Sequence, residues 1–143
     1  MMESHARSFE ELRKLVEGGS PEDAAARAQE AFGSPDAALD ALFALYQGAF
    51  VSQRASGAAG EFRFDVATSA GTRQYTVSVG DGRCRIRRGA DTSPTAVTTI
   101  SLGDLLLLST GLATGFELST QRRLRTEGDL AAAISFKDWF DLG

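Results

Sequence analysis

The sequence predicts an α+β protein with one mostly antiparallel sheet. Two observations carry this prediction: apolar residues recur at helical spacing over the first fifty residues, and they alternate with polar ones over residues 62–86. Helix-start signals return after residue 100, so further helices follow the strands. A chain of 143 residues is long enough for one domain with a substantial core, and its 43% hydrophobic and 24% charged residues are typical of globular proteins.

Three helices are expected before the first strand, and each begins at a serine. Ser8 with Glu11 has the pattern of a capping box, while Ser20 and Ser34 each precede a proline, which favours the first helical position. The second helix is rich in alanine, so we expect it to pack only lightly. The third helix has one apolar face, formed by Leu39, Leu42, Phe43, Tyr46 and Phe50.

Five strands are expected, and short loops join the first three. The sequence Gly80-Asp81-Gly82 between the second and third runs predicts a hairpin turn. Because short loops favour neighbouring antiparallel strands, these three runs are expected to form a meander. The five runs are residues 62–66, 75–79, 84–86, 95–100 and 123–125.

Further helices are expected around the last two strands. Ser101 with Asp104 predicts the start of a leucine-rich helix over residues 102–110, and residues 115–120 predict a shorter one. Strands and helices do not alternate regularly, so we expect the helices to pack on one face of the sheet. Asp129 is expected to cap a final helix whose apolar residues are Leu130, Ile134, Trp139 and Phe140.

The scarcity of cysteine and histidine excludes several chemistries. A lone Cys84 excludes an internal disulfide and a multi-cysteine zinc site, and a lone His5 leaves no catalytic triad in the body of the chain. We therefore expect no metal, no cofactor and no catalytic residue. The apolar run at residues 105–108 is too short to span a bilayer, and the N-terminus lacks a signal peptide's apolar segment, which predicts a cytoplasmic protein. Its Ala, Gly and Arg content indicates a bacterial source.

Arginines cluster at residues 83–88 and 122–125 in a chain whose net charge is −4. In the first cluster they alternate with Cys84 and Ile86, so we expect solvated arginines on one strand face and a buried, inert thiol on the other. An anionic lipid surface or an acidic partner is the alternative. The acidic total argues against nucleic acid as a partner, and at most transient contact with a membrane surface is expected.

Three segments in the second half of the chain form a set of motifs. They are YTVSVGDGRCRI at residues 75–86, VTTISLGDLLLLSTG at 97–111 and LRTEGD at 124–129. Together they resemble the sterol carrier protein type 2 domain family in order and spacing. Residues 45–50 and 62–66 are similar to the helix and first strand that precede these motifs in the family. The resemblance covers about residues 43–140.

The resemblance implies a five-stranded sheet covered by helices that enclose an apolar tunnel for fatty acyl chains, acyl-CoA or sterols. Residues 41–143 then form a sterol-carrier-like lipid-binding domain. Residues 1–40 form an N-terminal helical extension without a counterpart in the family's minimal domain, and they are expected to act as a lid, a homodimer contact or an arm for a protein partner. Arg122 stands where the family pattern has glycine, which is expected to change the turn or narrow the tunnel mouth.

The candidate ligand contacts are apolar side chains on the helices and strands that would enclose the tunnel. A helix that is apolar on nearly every face, such as residues 102–110, must contact apolar groups on each side. The candidates for lining are Phe50, Phe62, Phe64, Tyr75, Leu105, Leu108, Leu112, Phe116, Ile134, Trp139 and Phe140. The candidates for contact with a carboxylate, phosphate or coenzyme A head group, or with a surface, are Arg85, Arg87, Arg122 and Arg123.

The predicted function is non-catalytic binding, with transfer or presentation, of a hydrophobic small molecule. The alternative is a biosynthetic enzyme or cyclase of a bacterial natural-product pathway that folds its substrate in the same cavity. That alternative requires a polar residue such as Glu61, Asp65, Tyr75 or Glu127 to face the cavity. A third hypothesis is a structural or interaction protein that acts through residues 1–40.

Overall fold

The structure, a computed structural model, describes residues 8–90 and 93–142, so His5 lies outside the described residues. The helices are α1 (Phe9–Val16), α2 (Pro21–Phe32), α3 (Pro35–Ala49), α4 (Ser52–Ala55), α5 (Leu102–Ser109), α6 (Gly115–Thr120) and α7 (Leu130–Phe136), with a 3-10 turn at Lys137–Trp139. The strands are β1 (Gly60–Thr68), β2 (Gly71–Gly80), β3 (Arg83–Arg88), β4 (Ala96–Ser101) and β5 (Leu124–Gly128).

The five strands form one sheet in the order β3-β2-β1-β4-β5. The first three form the expected antiparallel meander, and Asp81 and Gly82 have the positive φ values, 54° and 71°, of a type I′ hairpin turn. β4 lies on the other side of β1 and runs parallel to it, whereas β5 is antiparallel to β4. The sheet is therefore mixed but mostly antiparallel, and the predicted α+β class is confirmed.

Most helices begin at a residue whose side chain accepts a hydrogen bond from a free backbone N–H group of the first turn. A serine caps each of α1, α2, α3 and α5, and Asp129 caps α7, as the sequence predicts. The helix α6 begins with a complete capping box formed by Thr114 and Glu117. Two of these starts, those of α5 and α7, directly follow the strands β4 and β5.

Helix α5 lies at the centre of the core. It contacts β1 and β4 on one side and α2 on the other, so seven of its eight residues are buried. The sheet face toward the helices carries the alternating apolar residues of β1 and β2, while the opposite face is mainly polar. The apolar residues of β1 and β2 on the helix-facing side are Phe62, Phe64, Val66, Tyr75, Val77 and Val79.

Helix α2 packs closely against α5. Ala24 and Ala28 are fully buried, and a methyl group at Gly103 would overlap the carbonyl oxygen of Pro21. The expectation of light packing is wrong, because small side chains let the backbones of the two helices approach each other. The apolar residues of α1 join the same core, so both N-terminal helices pack with the sheet-bearing part. The expected boundary at residue 40 lies within α3.

Candidate functional site

A cavity of about 690 Å³ lies between the helix-facing side of the sheet and the helices α5, α6 and α7. Most of its lining is apolar. The apolar and aromatic lining residues are Tyr46, Phe64, Leu105, Leu108, Phe116, Leu124, Leu130, Ala133, Ile134, Phe136 and Leu142. The others are Thr98, Thr114, Gly115, Ser119, Thr126, Lys137 and Asp138.

The sheet side of the cavity is a row of residues in register across three strands. Phe64 of β1 pairs with Thr98 of β4, which pairs with Thr126 of β5. Paired residues on adjacent strands point to the same face of a sheet, so all three reach the cavity together. Leu124, two residues before Thr126, points the same way. The cavity therefore lies over the half of the sheet that contains β4 and β5.

The helix side of the cavity is formed by residues one turn apart. Leu105 and Leu108 of α5 face it, and so do Leu130, Ala133 and Ile134 of α7. Spacings of three and four residues put side chains on one face of a helix. The short, uncharged sequence of α7 thus forms one wall, and two residues of that wall, Leu130 and Ile134, are also exposed to solvent.

Tyr46 brings one polar group to the cavity wall. Its hydroxyl lies 2.6 Å from the Ser109 hydroxyl, and burial raises the pKa of Tyr46 to about 12. The phenol is therefore neutral at physiological pH. Its ring packs edge-on against Phe9 of α1 and Phe140, with centroids 5.2 and 5.4 Å apart. The N-terminal helix α1 thus contacts one of the residues that line the cavity.

Five of the eleven residues predicted to line a tunnel lie in the cavity wall. They are Phe64, Leu105, Leu108, Phe116 and Ile134. Because they come from four different elements, the fold brings them together from distant parts of the sequence. Their contact with a ligand stays a prediction.

The other six predicted residues lie outside the lining. Phe62 and Phe140 pack on the cavity residue Phe136, with ring centroids 4.7 and 4.8 Å from it, and Trp139 packs on both Phe62 and Phe136. Phe50 packs on Phe140. This cluster supports the cavity wall from behind. The two remaining residues are Tyr75, which stacks on Phe43 with centroids 4.7 Å apart, and Leu112, which is half-buried against the core.

Sequence patterns missed several lining residues. Thr98 and Thr126 occupy helix-facing positions of β4 and β5, and strand alternation alone assigns them to that face. Phe136, the last residue of α7, lies three positions after Ala133, so helical spacing could have found it. Lys137 and Leu142 carry no comparable signal, because they follow α7 and the chain beyond the helix decides where they point. Hydroxyl-bearing residues at helix-facing strand positions can therefore line a cavity as well as apolar ones.

The four predicted arginines also lie outside the cavity lining. Arg85 and Arg87 lie on the face of β3 opposite Cys84 and Ile86, and therefore on the side of the sheet away from the cavity. Arg87 forms an ion pair with Glu61, 3.5 Å between Nη1 and Oε1. Lys137 is the one cation in the lining within the described part of the chain.

Arg122 and Arg123 belong to the turn between α6 and β5. Arg122 is exposed and has a left-handed backbone with φ 60°. Arg123 donates hydrogen bonds to the buried carboxylate of Asp104 at the start of α5, and this interaction raises the pKa of Arg123. The arginine therefore ties the turn to α5. A head-group role for any of the four stays a prediction.

None of the four polar residues given as examples for the enzyme hypothesis lines the cavity. Tyr75 donates a hydrogen bond of 2.6 Å to Asp40, and its pKa is raised by burial and by that carboxylate. The other three, Glu61, Asp65 and Glu127, lie within ion-pair distance of Arg87, Arg63 and Arg125 respectively. These contacts lie on the outer face of the sheet or beside α3.

Other candidate chemistry has simple structural explanations. Cys84 is buried, and burial raises the pKa of its thiol to about 11, as expected for an inert core cysteine. Within residues 8–90 and 93–142, no cluster of His, Cys, Asp and Glu side chains could hold a metal ion. No helix in this part of the chain is long and apolar enough to cross a membrane.

A mostly apolar cavity with a few polar groups in its lining is typical of a domain that binds a hydrophobic molecule. The model of the SCP-2 sterol transfer family matches residues 36–141, more than half of the chain. The chain belongs to this family, and the resemblance predicted from its motifs is confirmed. Family and cavity together support lipid binding or transfer as its general activity.

Solved structures share the fold at low sequence identity. Sterol carrier protein 2 like 2 from Aedes aegypti is 22% identical, with a TM-score of 0.58 over 68% of this chain and 94% of that protein. Sterol carrier protein 2 like 3 from the same species is 14% identical, with a TM-score of 0.52 over 69% and 94%. The sec-alkylsulfatase Pisa1 from Pseudomonas sp. is 13% identical, with a TM-score of 0.63 over 73% of this chain but 17% of that enzyme. No curated protein matches the sequence.

Proposed function

We propose that the chain binds one slender hydrophobic molecule, such as a fatty acyl chain, the acyl part of an acyl-CoA or a sterol-like lipid, in this cavity. The cavity itself carries the proposal, because it offers about 690 Å³ of largely apolar space between the sheet and α5–α7. Small-molecule sites commonly measure about 300–1,000 Å³. A volume in this range suits one ligand of modest size.

Apolar burial supplies the affinity in this proposal. Each methylene group removed from water contributes about 0.8 kcal/mol. Leu105, Leu108 and Phe136 offer the apolar contact surface, and Thr98 and Thr126 add methyl groups beside hydroxyls that can accept or donate a hydrogen bond. Lipids that differ in their polar part are thus held through the same apolar contacts.

Lys137 is the group we assign to an anionic head group. It follows the last residue of α7, is exposed, and belongs to the cavity lining. An ammonium group at this position can donate hydrogen bonds to a carboxylate or phosphate while the chain of the ligand lies inside. The predicted arginines are less suited, since none of them lines the cavity.

The proposal predicts that Ala133→Trp weakens lipid binding. Ala133 lines the cavity, so an indole there occupies the space that the ligand needs. We expect at least about tenfold weaker binding of a fluorescent fatty acid, corresponding to roughly 1.4 kcal/mol. Fluorescence titration with purified protein in buffer without vesicles measures the effect.

Ala131→Trp provides the matched control, because Ala131 belongs to the same helix but is exposed and outside the lining. It is expected to bind the probe like the wild type. Equal affinity of both variants and the wild type would contradict binding in this cavity. A wild-type protein that neither binds the probe nor retains a lipid in native mass spectrometry would contradict the function as a whole.

We also propose that residues 1–40 stabilise the helix layer that forms the cavity. Two contacts support this proposal: α2 packs closely against α5, and Phe9 of α1 packs on Tyr46 in the cavity wall. The buried residues of α1 and α2 belong to the common core rather than to an open surface. This favours a stabilising role over the lid, homodimer and partner-arm hypotheses.

A further inference from the structure

Exposed apolar side chains gather around the cavity. Among the described residues, three large hydrophobic side chains are mostly exposed: Phe116 at 79%, Ile134 at 76% and Leu130 at 55%. All three also line the cavity, so the exposed apolar surface is continuous with its interior. Single exposed apolar residues are ordinary on protein surfaces, but a cluster at one opening indicates an interaction site.

Helix α7 contributes most of this surface. It contains no charged residue, and its exposed positions form two pairs one turn apart, Leu130 with Ile134 and Ala131 with Ser135, that lie side by side on the helix. Together with Phe116 of α6, these four residues are called the rim patch below. A helix of a globular protein normally turns charged groups toward water, so an uncharged exposed face suits a less polar environment.

Two charged groups border the rim patch and are also part of the cavity lining. Lys137 and Asp138 follow α7 directly and carry opposite charges. The acidic residues Glu117 and Asp129, next in sequence to Phe116 and Leu130, are exposed as well, so the border has both signs but no cluster of basic residues. A zwitterionic lipid head group has the same character, whereas an anionic surface would select a cluster of basic residues. The arginines of β3 lie on the opposite side of the sheet.

We propose that the rim patch docks the protein on a zwitterionic lipid bilayer, with the cavity opening toward the membrane. This inference rests on the proposed function, because a lipid could then pass between bilayer and cavity without crossing water. A second copy of the chain is a poorer occupant. Stable protein interfaces use about 20–30 residues a side, whereas the rim patch has five.

The double variant Ala131→Glu/Ser135→Glu tests the docking surface without changing the cavity lining. Both residues are exposed and neither lines the cavity, so two carboxylates are added to the rim patch alone. Ala26→Glu/Ala44→Glu adds the same charge at exposed positions of α2 and α3 and is the matched control. Co-sedimentation with phosphatidylcholine vesicles, and in parallel with vesicles that contain an anionic lipid, measures binding at low and high salt.

We expect the wild type and the control to bind the vesicles equally at both salt concentrations. The rim variant is expected to bind at least about tenfold more weakly, since charged groups are costly to place among lipid chains. Unchanged binding of the rim variant overturns the proposal, and so does a wild type that does not bind. Binding confined to anionic vesicles and lost at high salt also overturns it and points to the arginines. A wild-type dimer that the rim variant converts to monomer identifies the patch as a contact between copies instead.

A second measurement avoids added charge. Ser135→Cys labelled with a polarity-sensitive dye is expected to show blue-shifted emission when vesicles are added, because the dye enters a less polar layer. The same label on Ala44→Cys is expected to show no shift. Equal spectra with and without vesicles at position 135 would overturn the proposal even if the rim variant failed to fold.

Failure of docking and failure of the proposed function give different results. A fluorescent fatty acid in vesicle-free buffer reports the cavity alone, and Ala131→Glu/Ser135→Glu is expected to bind it like the wild type. Normal probe binding without vesicle binding contradicts docking but leaves the cavity function intact. Vesicle binding without probe binding contradicts the cavity function.

Discussion

Arg122 occupies a backbone conformation that favours glycine. Its φ of 60° lies in the left-handed region, where a residue with a Cβ is disfavoured by roughly 1–2 kcal/mol. The family pattern has glycine at the corresponding position, so the turn keeps a conformation that glycine would adopt easily. Arg122 lies outside the cavity lining, so a substitution at this position changes the turn between α6 and β5 and not the cavity wall.

The conformation of Arg122 predicts that Arg122→Gly stabilises the protein. We expect the free energy of unfolding to rise by about 0.5–1 kcal/mol, because relief of strain exceeds the extra entropy that glycine has in the unfolded chain. Chemical denaturation measures this change. Arg122→Ala removes the same side chain but keeps the Cβ, so it is expected to give no gain. Equal stabilisation by both variants would assign the effect to the guanidinium.

Asp40 links α3 to two strands through its side chain. It accepts hydrogen bonds from Tyr75 and Arg88, and the Arg88 guanidinium is the main reason that its pKa lies below the ordinary 3.8. A lowered carboxyl pKa means that the folded state favours the charged form. The resulting stability is present above pH 3.8 and is lost as the pH falls through the lowered value.

Asp40→Asn is therefore expected to destabilise the protein near neutral pH and to matter less in acid. The loss is about 1 kcal/mol or less, since water screens this half-exposed pair. Denaturation of both proteins at pH 7 and at a pH below the lowered pKa of Asp40 tests the prediction. Tyr75→Phe keeps the Arg88 pair and should retain most of the pH dependence of the wild type. A difference between Asp40→Asn and wild type that is the same at both pH values would be inconsistent with this role.

At the scale of elements, Gly103 explains how α2 and α5 fit together. It lies inside α5, where glycine is less favourable than alanine by roughly 0.5–1 kcal/mol. A methyl group at this position would overlap the backbone carbonyl of Pro21 at the start of α2. The glycine is therefore required because α2 approaches α5 closely, and not because the backbone of α5 needs a glycine conformation here.

Gly103→Ala is expected to lower the free energy of unfolding by about 1–3 kcal/mol, because α2 must move away from α5. Thermal or chemical denaturation measures the loss. Gly48→Ala is the matched control: Gly48 lies within α3 with open space around it, so alanine is expected to stabilise the protein slightly. If Gly103→Ala were as stable as the wild type, the tight contact between the two helices would be refuted.

At the scale of the whole molecule, the parallel pairing of β1 with β4 decides where the cavity lies. After β3 the chain returns across the sheet and places β4 and β5 beyond β1. The row Phe64, Thr98 and Thr126 then faces α5 and α7, and the space between them is the cavity. The rim patch likewise depends on the whole fold, because Phe116 and Ile134 are eighteen residues apart in the sequence and come together only at the opening of the cavity.

Local patterns determined the starts of α1, α2, α3, α5 and α7, the Asp81-Gly82 hairpin and the side of β3 on which Cys84 lies. Capping, turn conformation and strand alternation depend on residues within a few positions of one another, so the sequence contains all the information they need. The same motifs were sufficient to indicate the family and an apolar interior.

Only the tertiary structure decided which apolar residues line the cavity and which support it. Phe64 and Phe62 share one strand face, yet the first lines the cavity and the second packs behind Phe136, since helices placed by long-range contacts cover them differently. The same holds for the close approach of Pro21 to Gly103. Such outcomes depend on the packing of distant segments, which no short stretch of sequence specifies by itself.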